Sequence, residues 1–340
     1  MPYGLVKLYK KHFSRSNKYK HKQYGRIYYP FYNLNTFLNN KYPEIYNKDG
    51  TKLELFFIRD IHSAHLVYSN SKYFQYDRYN FGLDTHFYTH NSMLEIMGNP
   101  KKKYGILIEA EIICPNDYLI FNKYPSLNNE FDLIFTYSDY ILQNVPNSRY
   151  VPYYLKYSHL KINISNDFYL QKTKNISIIA SGKEMVPLHK YRNSIARKCK
   201  SLNLADVYGT IDGGRYCDIS EPFMDYRFSI AIENEITPYA FTEKITNCFQ
   251  TMTIPVYYGA AKIDKLFNPD GIILLNQNDD IEQILKKCTK GYYDERIPAI
   301  IDNFNRVNIN KTADDIMYEN YIQKDIGKIS PEDLINSLKY

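Results

Sequence analysis

Tryptophan is absent from this chain of 340 residues, and no stretch approaches the roughly 20 apolar residues that a membrane-spanning helix needs. The best apolar runs, LELFFI (53–58) and YGILIEAEII (104–113), are short, and charge breaks the second. No secretory apolar region follows Met1. The five cysteines (Cys114, Cys199, Cys217, Cys248, Cys288) are odd in number and scattered, and none forms a C-x-x-C pair. That spacing argues against a disulfide framework and against a cysteine-based zinc site. Together these absences lead to the expectation of a reduced, soluble, cytoplasmic protein. The sequons at Asn163, Asn175 and Asn310 then read as accidental.

Tyrosine, by contrast, occurs 36 times, in company with much Asn, Lys and Ile. That combination fits the bias of an AT-rich coding sequence, so the tyrosines are not all read as binding platforms. Hydrophobic residues at 44% and charged residues at 24% give a globular composition. The length suits two domains of ordinary size better than one core. Net charge is +6, and residues 1–33 hold eight Lys or Arg with no Asp or Glu. This basic leader reads as a solvated tail. The rest of the chain is nearly balanced, so nucleic acid is not expected as a partner.

Along the chain, KLELFFIRD (52–60), YGILIEAEII (104–113) and FDLIFTYS (131–138) read as strands of a first α/β domain, placed at 34–155. The tyrosine- and histidine-rich stretch 73–98 shows no clear period until its end. The pattern loosens through a linker at 156–174. A clearer alternation follows over 175–310. Strands are expected at NISIIAS (175–181), ADVYG (205–209), YRFSIAIEN (226–234), TIPVYYG (253–259) and GIILLN (271–276). Helices are expected at LHKYRNSIARKCKSL (188–202), TEKITNCFQ (242–250) and DIEQILKKC (280–288). Strand and helix alternating at this spacing predict a doubly wound parallel sheet, whose ligands sit beyond the carboxyl ends of its strands. A polar helical tail is expected over 311–340.

The polar residues at those strand ends are the candidate site. One strand ends in Ser181-Gly182-Lys183, and the following helix carries His189 and Arg192 three apart, on one face. Another strand ends in Glu233-Asn234, and the next helix opens with Thr242-Glu243-Lys244. Thr242 can cap that helix, and Glu243 in its first turn suits the dipole, so both have an ordinary structural explanation. Lys244 does not, because it is a cation at the positive end of a helix. It calls for an anion, and a helix N-terminus is itself an anion site. A diphosphate would satisfy both, with Glu243 accepting from a ribose diol.

The surrounding segment YRFSIAIEN…FTEKITNCFQTMTIPVYYGAAKIDKLFNP resembles the donor-binding signature of the family 10 glycosyltransferases, the α-1,3/1,4-fucosyltransferases. It matches at Glu233, Asn234, Thr242, Glu243, Lys244, Pro255, Tyr257, Gly259, Asn268 and Pro269. The resemblance is close over 226–276 and continues upstream at Tyr191-Arg192-Asn193. One departure concerns the aromatic residue that the family places two before the threonine. Here that place is Ala240, with Tyr239 beside it as a candidate substitute.

The resemblance implies a GT-B fold, two Rossmann-like domains facing across a cleft, and transfer of L-fucose from GDP-β-L-fucose to a glycan hydroxyl with inversion. It implies donor contacts from Lys183, Arg192, Glu233, Asn234, Tyr239, Thr242, Glu243 and Lys244. It also implies a first-domain carboxylate as base, for which Glu111 fits better than Glu109. Asp77, Arg78 and His86 are weaker candidates for the acceptor side. His86 and His90 are four apart, a metal-binding spacing only on a helix, which the pattern does not support. The chain has no D-x-D triplet, the usual clamp of metal-dependent sugar transferases, so no cofactor is expected beyond the donor substrate, although a divalent ion is compatible. An enzyme without a membrane anchor suggests a bacterial or virus-infected cytoplasm. The rival readings are another nucleotide sugar on the same fold, a silent glycan- or nucleotide-binding protein, and nucleic-acid binding by the leader.

Overall fold

Strands that are apolar on both faces need cover on both sides, and this chain supplies it twice. The structure, a computed structural model, describes residues 26–27, 45–46, 50–60, 71–77, 80–155, 164–309 and 311–338. It forms two units: residues 1–151 with 314–328, and residues 152–313 with 329–340. The 311–340 tail is thus divided between them. The basic leader apart from residues 26–27, Arg78, and the asparagines Asn163 and Asn310 lie outside the described residues.

In the first unit, strands β1 (Lys52–Arg59), β2 (Phe74–Asp77), β3 (Thr85–Thr89), β4 (Lys102–Leu107), β5 (Leu133–Thr136) and β6 (Ser148–Tyr150) pair in parallel. The order runs β1-β3-β4-β5-β6, with β2 also on β1, and Ile45–Tyr46 adds an antiparallel pair to β1. β2 and β3 come from the stretch without clear period. Helix α1 (Asp139–Asn144) is capped by Ser138, whose hydroxyl accepts from Ile141 N at 3.2 Å. Phe57, Tyr88, Leu107, Ile134 and Ile141 meet in one core. From the tail, Asp315 accepts from the Ser71 hydroxyl at 2.9 Å and the Tyr321 hydroxyl donates to Tyr150 O at 3.0 Å.

The second unit follows the expected alternation. It contains β7 (Lys174–Ile179), α2 (Pro187–Ser201), β8 (Asp206–Tyr208), β9 (Tyr226–Ile232), α3 (Glu243–Gln250), β10 (Ile254–Tyr258), β11 (Ile273–Leu274) and α4 (Ile297–Val307). The sheet is parallel throughout, in the order β8-β7-β9-β10-β11. Ile178, Phe228, Ile254 and Val256 form its buried middle, and Ala196 and Cys199 of α2 and Phe304 of α4 pack on it. The chain leaves β7 toward β8 on one side and then crosses to β9 on the other. Between β7 and β9 lies the point where the winding reverses, the place such sheets bind ligands.

Candidate active site

The pocket at that reversal has a volume of about 360 Å³. Its walls come from the end of β7, the end of β9, the loop after β8 and the faces of α2 and α3. Lys183, Arg192, Asn234, Glu243 and Lys244 all line it. Two helices and two strand ends therefore deliver three cations, an amide and a carboxylate to one cavity.

Arg192 is buried, and its Nη1 donates to Ile232 O at 3.3 Å. Asn234 Oδ1 lies 3.5 Å from the same nitrogen and 3.0 Å from His189 Nε2. His189 is held neutral: burial lowers its pKa first, and the cations Arg192, Lys244 and Lys183 lower it further. A neutral ring whose Nε2 faces an amide oxygen donates from it, so His189 fixes how Asn234 points. Arg192 Nε has no partner within the protein. The guanidinium's hydrogen bonds within the protein fall on Nη1, so an acceptor from a ligand would meet it at Nη2 and not at the enclosed Nε.

Lys244 differs from its expected environment. Thr242 does cap α3, accepting from Lys244 N at 3.3 Å. The anion that Lys244 requires, however, is already present in the protein. Its ammonium sits 3.2 Å from Glu233 Oε2 and 3.6 Å from Glu243 Oε1. Burial disfavours its charge, but Glu243 and then Glu233 outweigh that and raise its pKa. Glu233 is only 2% exposed and accepts from Thr242 N at 2.9 Å and from the Thr242 hydroxyl at 2.6 Å. Neither Glu233 nor Thr242 is in the pocket wall. Both brace the start of α3. Space for Glu233 depends on Gly259, where a Cβ would stand 2.3 Å from Glu233 Cγ.

Tyr239, the candidate substitute for the missing aromatic, has its hydroxyl engaged within the protein. It is buried, its hydroxyl donates to Glu332 Oε1 at 2.6 Å and accepts from Lys262 Nζ at 2.9 Å, and it is not part of the pocket wall. The wall also includes Gly209, Thr210, Tyr216, Cys217 and Asn247, which were not singled out from the sequence. Asn247 is 1% exposed and its Oδ1 has no partner. Its position one turn after Lys244 on the same helix face was the signal available.

In the first unit, Glu109 and Glu111 follow β4, at the carboxyl edge of the sheet. Both are partly buried. Glu109 Oε1 accepts from Ala110 N at 3.0 Å, and Glu111 N donates to the Tyr137 hydroxyl at 3.1 Å. Two weaker acceptor-side expectations fare differently. His86 is fully buried, its Nδ1 lies 2.8 Å from the Tyr88 hydroxyl, and its ring sits 4.6 Å from that of Phe57. It is a core residue and not an acceptor contact, because an imidazole without solvent contact meets no ligand. Asp77 accepts from Asn80 N at 3.0 Å.

The second unit is a doubly wound nucleotide-type fold with a cationic pocket at its reversal point. Residues 169–290 match the family described as glycosyltransferase family 10 (fucosyltransferase), C-terminal part. That match bears out the resemblance read from residues 226–276. A protein of Acanthamoeba polyphaga mimivirus, provisionally named a fucosyltransferase, is 28% identical over 157 residues. The alignment covers 44% of this chain and 25% of that protein, so the chain spans a small part of its relative. Among solved structures, an α1,3-fucosyltransferase with GDP matches at TM-score 0.48 and 16% identity, covering 76% of this chain and 84% of the other. The same comparison with an α1,3-fucosyltransferase carrying GDP-fucose gives TM-score 0.48 and 17% identity, over 77% and 86%. No helix among the described residues is long and apolar enough to cross a membrane.

Proposed function

We propose that this chain transfers L-fucose from GDP-β-L-fucose to a glycan hydroxyl, with inversion at the anomeric carbon. The observation that carries this reading is the gathering of Lys183, Arg192 and Lys244 around one pocket at the sheet's reversal point, within the segment matching family 10. Lys183 and Arg192, beside a Lys244 already paired with Glu233 and Glu243, leave the pocket net positive, which suits a diphosphate. Glu243, on the same wall, is placed to accept from a ribose hydroxyl. As the bond from the sugar C1 to the phosphate oxygen breaks, negative charge grows on the leaving diphosphate. Fixed cations there stabilise the transition state more than the ground state.

The acceptor oxygen forms the new bond to C1, and its proton passes to a carboxylate acting as general base. Glu109 and Glu111 are the candidates. We favour Glu109, because buried side chains hydrogen-bond both its peptide N–H and its carbonyl, which supports a fixed Cα. Glu111 sits in the turn that follows. This reverses the preference drawn from spacing.

Ala240 at the family's aromatic position, with Tyr239 committed to Glu332 and Lys262, favours a second reading in which the donor is another nucleotide sugar. Thermal unfolding against GDP, UDP and their sugars separates the two by ligand linkage. The first reading expects a rise in Tm with GDP and GDP-fucose and none with UDP. A rise with UDP alone would end it. A donor panel with a mixed glycan acceptor then reports transfer, and binding without transfer identifies a silent relative.

A further inference from the structure

β3 ends at Thr89, and the next residue, His90, takes φ 50°. This left-handed conformation costs an L-residue roughly 1–2 kcal/mol. The turn leaves the imidazole fully buried. Its Nε2 accepts from Glu109 N at 3.2 Å and from Ile108 N at 3.4 Å. A ring nitrogen that accepts carries no proton, so the neutral ring holds its proton on Nδ1. Nδ1 lies 3.3 Å from Asp117 Oδ2, and Asp117 is itself buried. The other side of the same residue is held as well. Glu109 O accepts from the Tyr118 hydroxyl and, at 3.0 Å, from the Tyr137 hydroxyl.

We infer that His90, oriented by Asp117, is a positioning residue that fixes the Glu109 peptide, and with it the carboxylate that takes the acceptor's proton. The inference rests on the reading of this edge as the source of the base. The strain at His90 has a return in this arrangement: it brings an acceptor nitrogen to the N–H of a residue two beyond the end of β4. Asp117 in turn selects the tautomer. If the proton moved to Nε2, two donors would face each other at Glu109.

The same geometry bears on metal binding. One ligand atom from each of His90, Cys114 and Asp117 lies within 4.8 Å of the others, a set that could hold an ion. A metal at Nδ1 would drive the ring proton onto Nε2, against Glu109 N–H. Retaining that backbone bond would instead require an imidazolate. The backbone bonds at Nε2 therefore assign the Nδ1 position to a proton.

Nitrogen NMR of histidine-labelled native protein reads the tautomer directly. A proton on Nδ1 of His90 is expected; a proton on Nε2, or stoichiometric zinc binding at this cluster, overturns the inference. Asp117→Asn is then assayed with GDP-fucose and a mixed glycan acceptor. The expected result is a fall in kcat on the order of 10- to 100-fold, the range typical of an orienting partner. KM for GDP-fucose and GDP affinity should stay within about twofold, since the donor pocket is untouched. Glu109→Gln and Glu111→Gln run in parallel. If both turn over like the parent, the base reading fails, and the positioning role with it. If Glu109→Gln is inactive while Asp117→Asn, folded and with its proton moved, keeps its kcat, the base stands and the positioning role is wrong.

Discussion

Glu233 Oε2 lies 3.2 Å from Lys244 Nζ, a buried carboxylate and an ammonium joined beneath the first turn of α3. The lysine's charge is thus maintained before any ligand arrives. Replacing Glu233 by Gln keeps the shape and removes that counter-charge. Breaking a buried pair this way costs about 3 kcal/mol, somewhat less where a second carboxylate is near, as Glu243 is here. Chemical denaturation should show that loss, and GDP binding should weaken as the start of α3 loosens. A variant as stable as the parent would show that the pair does not organise the helix.

Arg192→Ala should act on binding. On the proposed reading, its place in the pocket wall makes it a diphosphate contact through Nη2. A charge-assisted hydrogen bond contributes roughly 1.5–3 kcal/mol, or about 10- to 100-fold in Kd. Calorimetric titration with GDP measures it, and an unchanged Kd would remove Arg192 from the site.

Asn247→Ala should separate stability from binding. Its Oδ1 is buried without a partner, so truncation relieves an unsatisfied acceptor. Melting temperature should hold or rise, while GDP or GDP-fucose affinity falls by about fivefold, the worth of one neutral hydrogen bond. A large drop in stability with no change in affinity would make Asn247 a structural residue alone.

Gly209→Ala should damage the pocket through the backbone. Gly209 has φ 96°, and a Cβ there would stand 2.3 Å from Ala180 O, at the end of β7. The conformation alone costs an L-residue about 1–3 kcal/mol, and the clash with rigid backbone adds to it. A loss of at least that size in unfolding free energy is expected, together with weaker GDP binding.

Acid should destabilise the first unit through His86. Burial lowers its pKa to about 4 from an ordinary 6.5. The unfolded chain binds the proton first, so stability is full above about pH 6.5 and falls as pH drops toward 4. The integrated loss is about 3 kcal/mol. Comparing denaturation midpoints at pH 7 and pH 4.5 for the parent and His86→Leu checks this. The variant, less stable at neutral pH, should show a flatter acid limb.

The second unit was legible because its strands are short apolar runs separated by amphipathic helices, each signal local to about ten residues. The TEK triplet and the Arg192 helix could be placed at strand ends for the same reason. β2 and β3 were not legible. Phe74, Phe87 and Tyr88 are buried, but tyrosines, histidines and aspartates interleave with them, so neither a period of two nor a continuous apolar run stands out. His86 looked like a site residue because it is polar; its burial depends on Phe57, a neighbour 29 positions away.

Sequence alone determined the parallel winding of residues 174–274 and the charge types delivered to its carboxyl edge, because both follow from patterns within single elements. Which of those charges face a ligand was decided only by the tertiary structure. Glu233 and Lys244, 11 positions apart, become an internal ion pair because β9 and α3 bring them within 3.2 Å. Arg192 keeps Nη2 to spare because the acceptors at the end of β9, Ile232 O and Asn234 Oδ1, meet Nη1. Pairing in a folded chain is a matter of distance and desolvation, and neither quantity exists until remote segments pack.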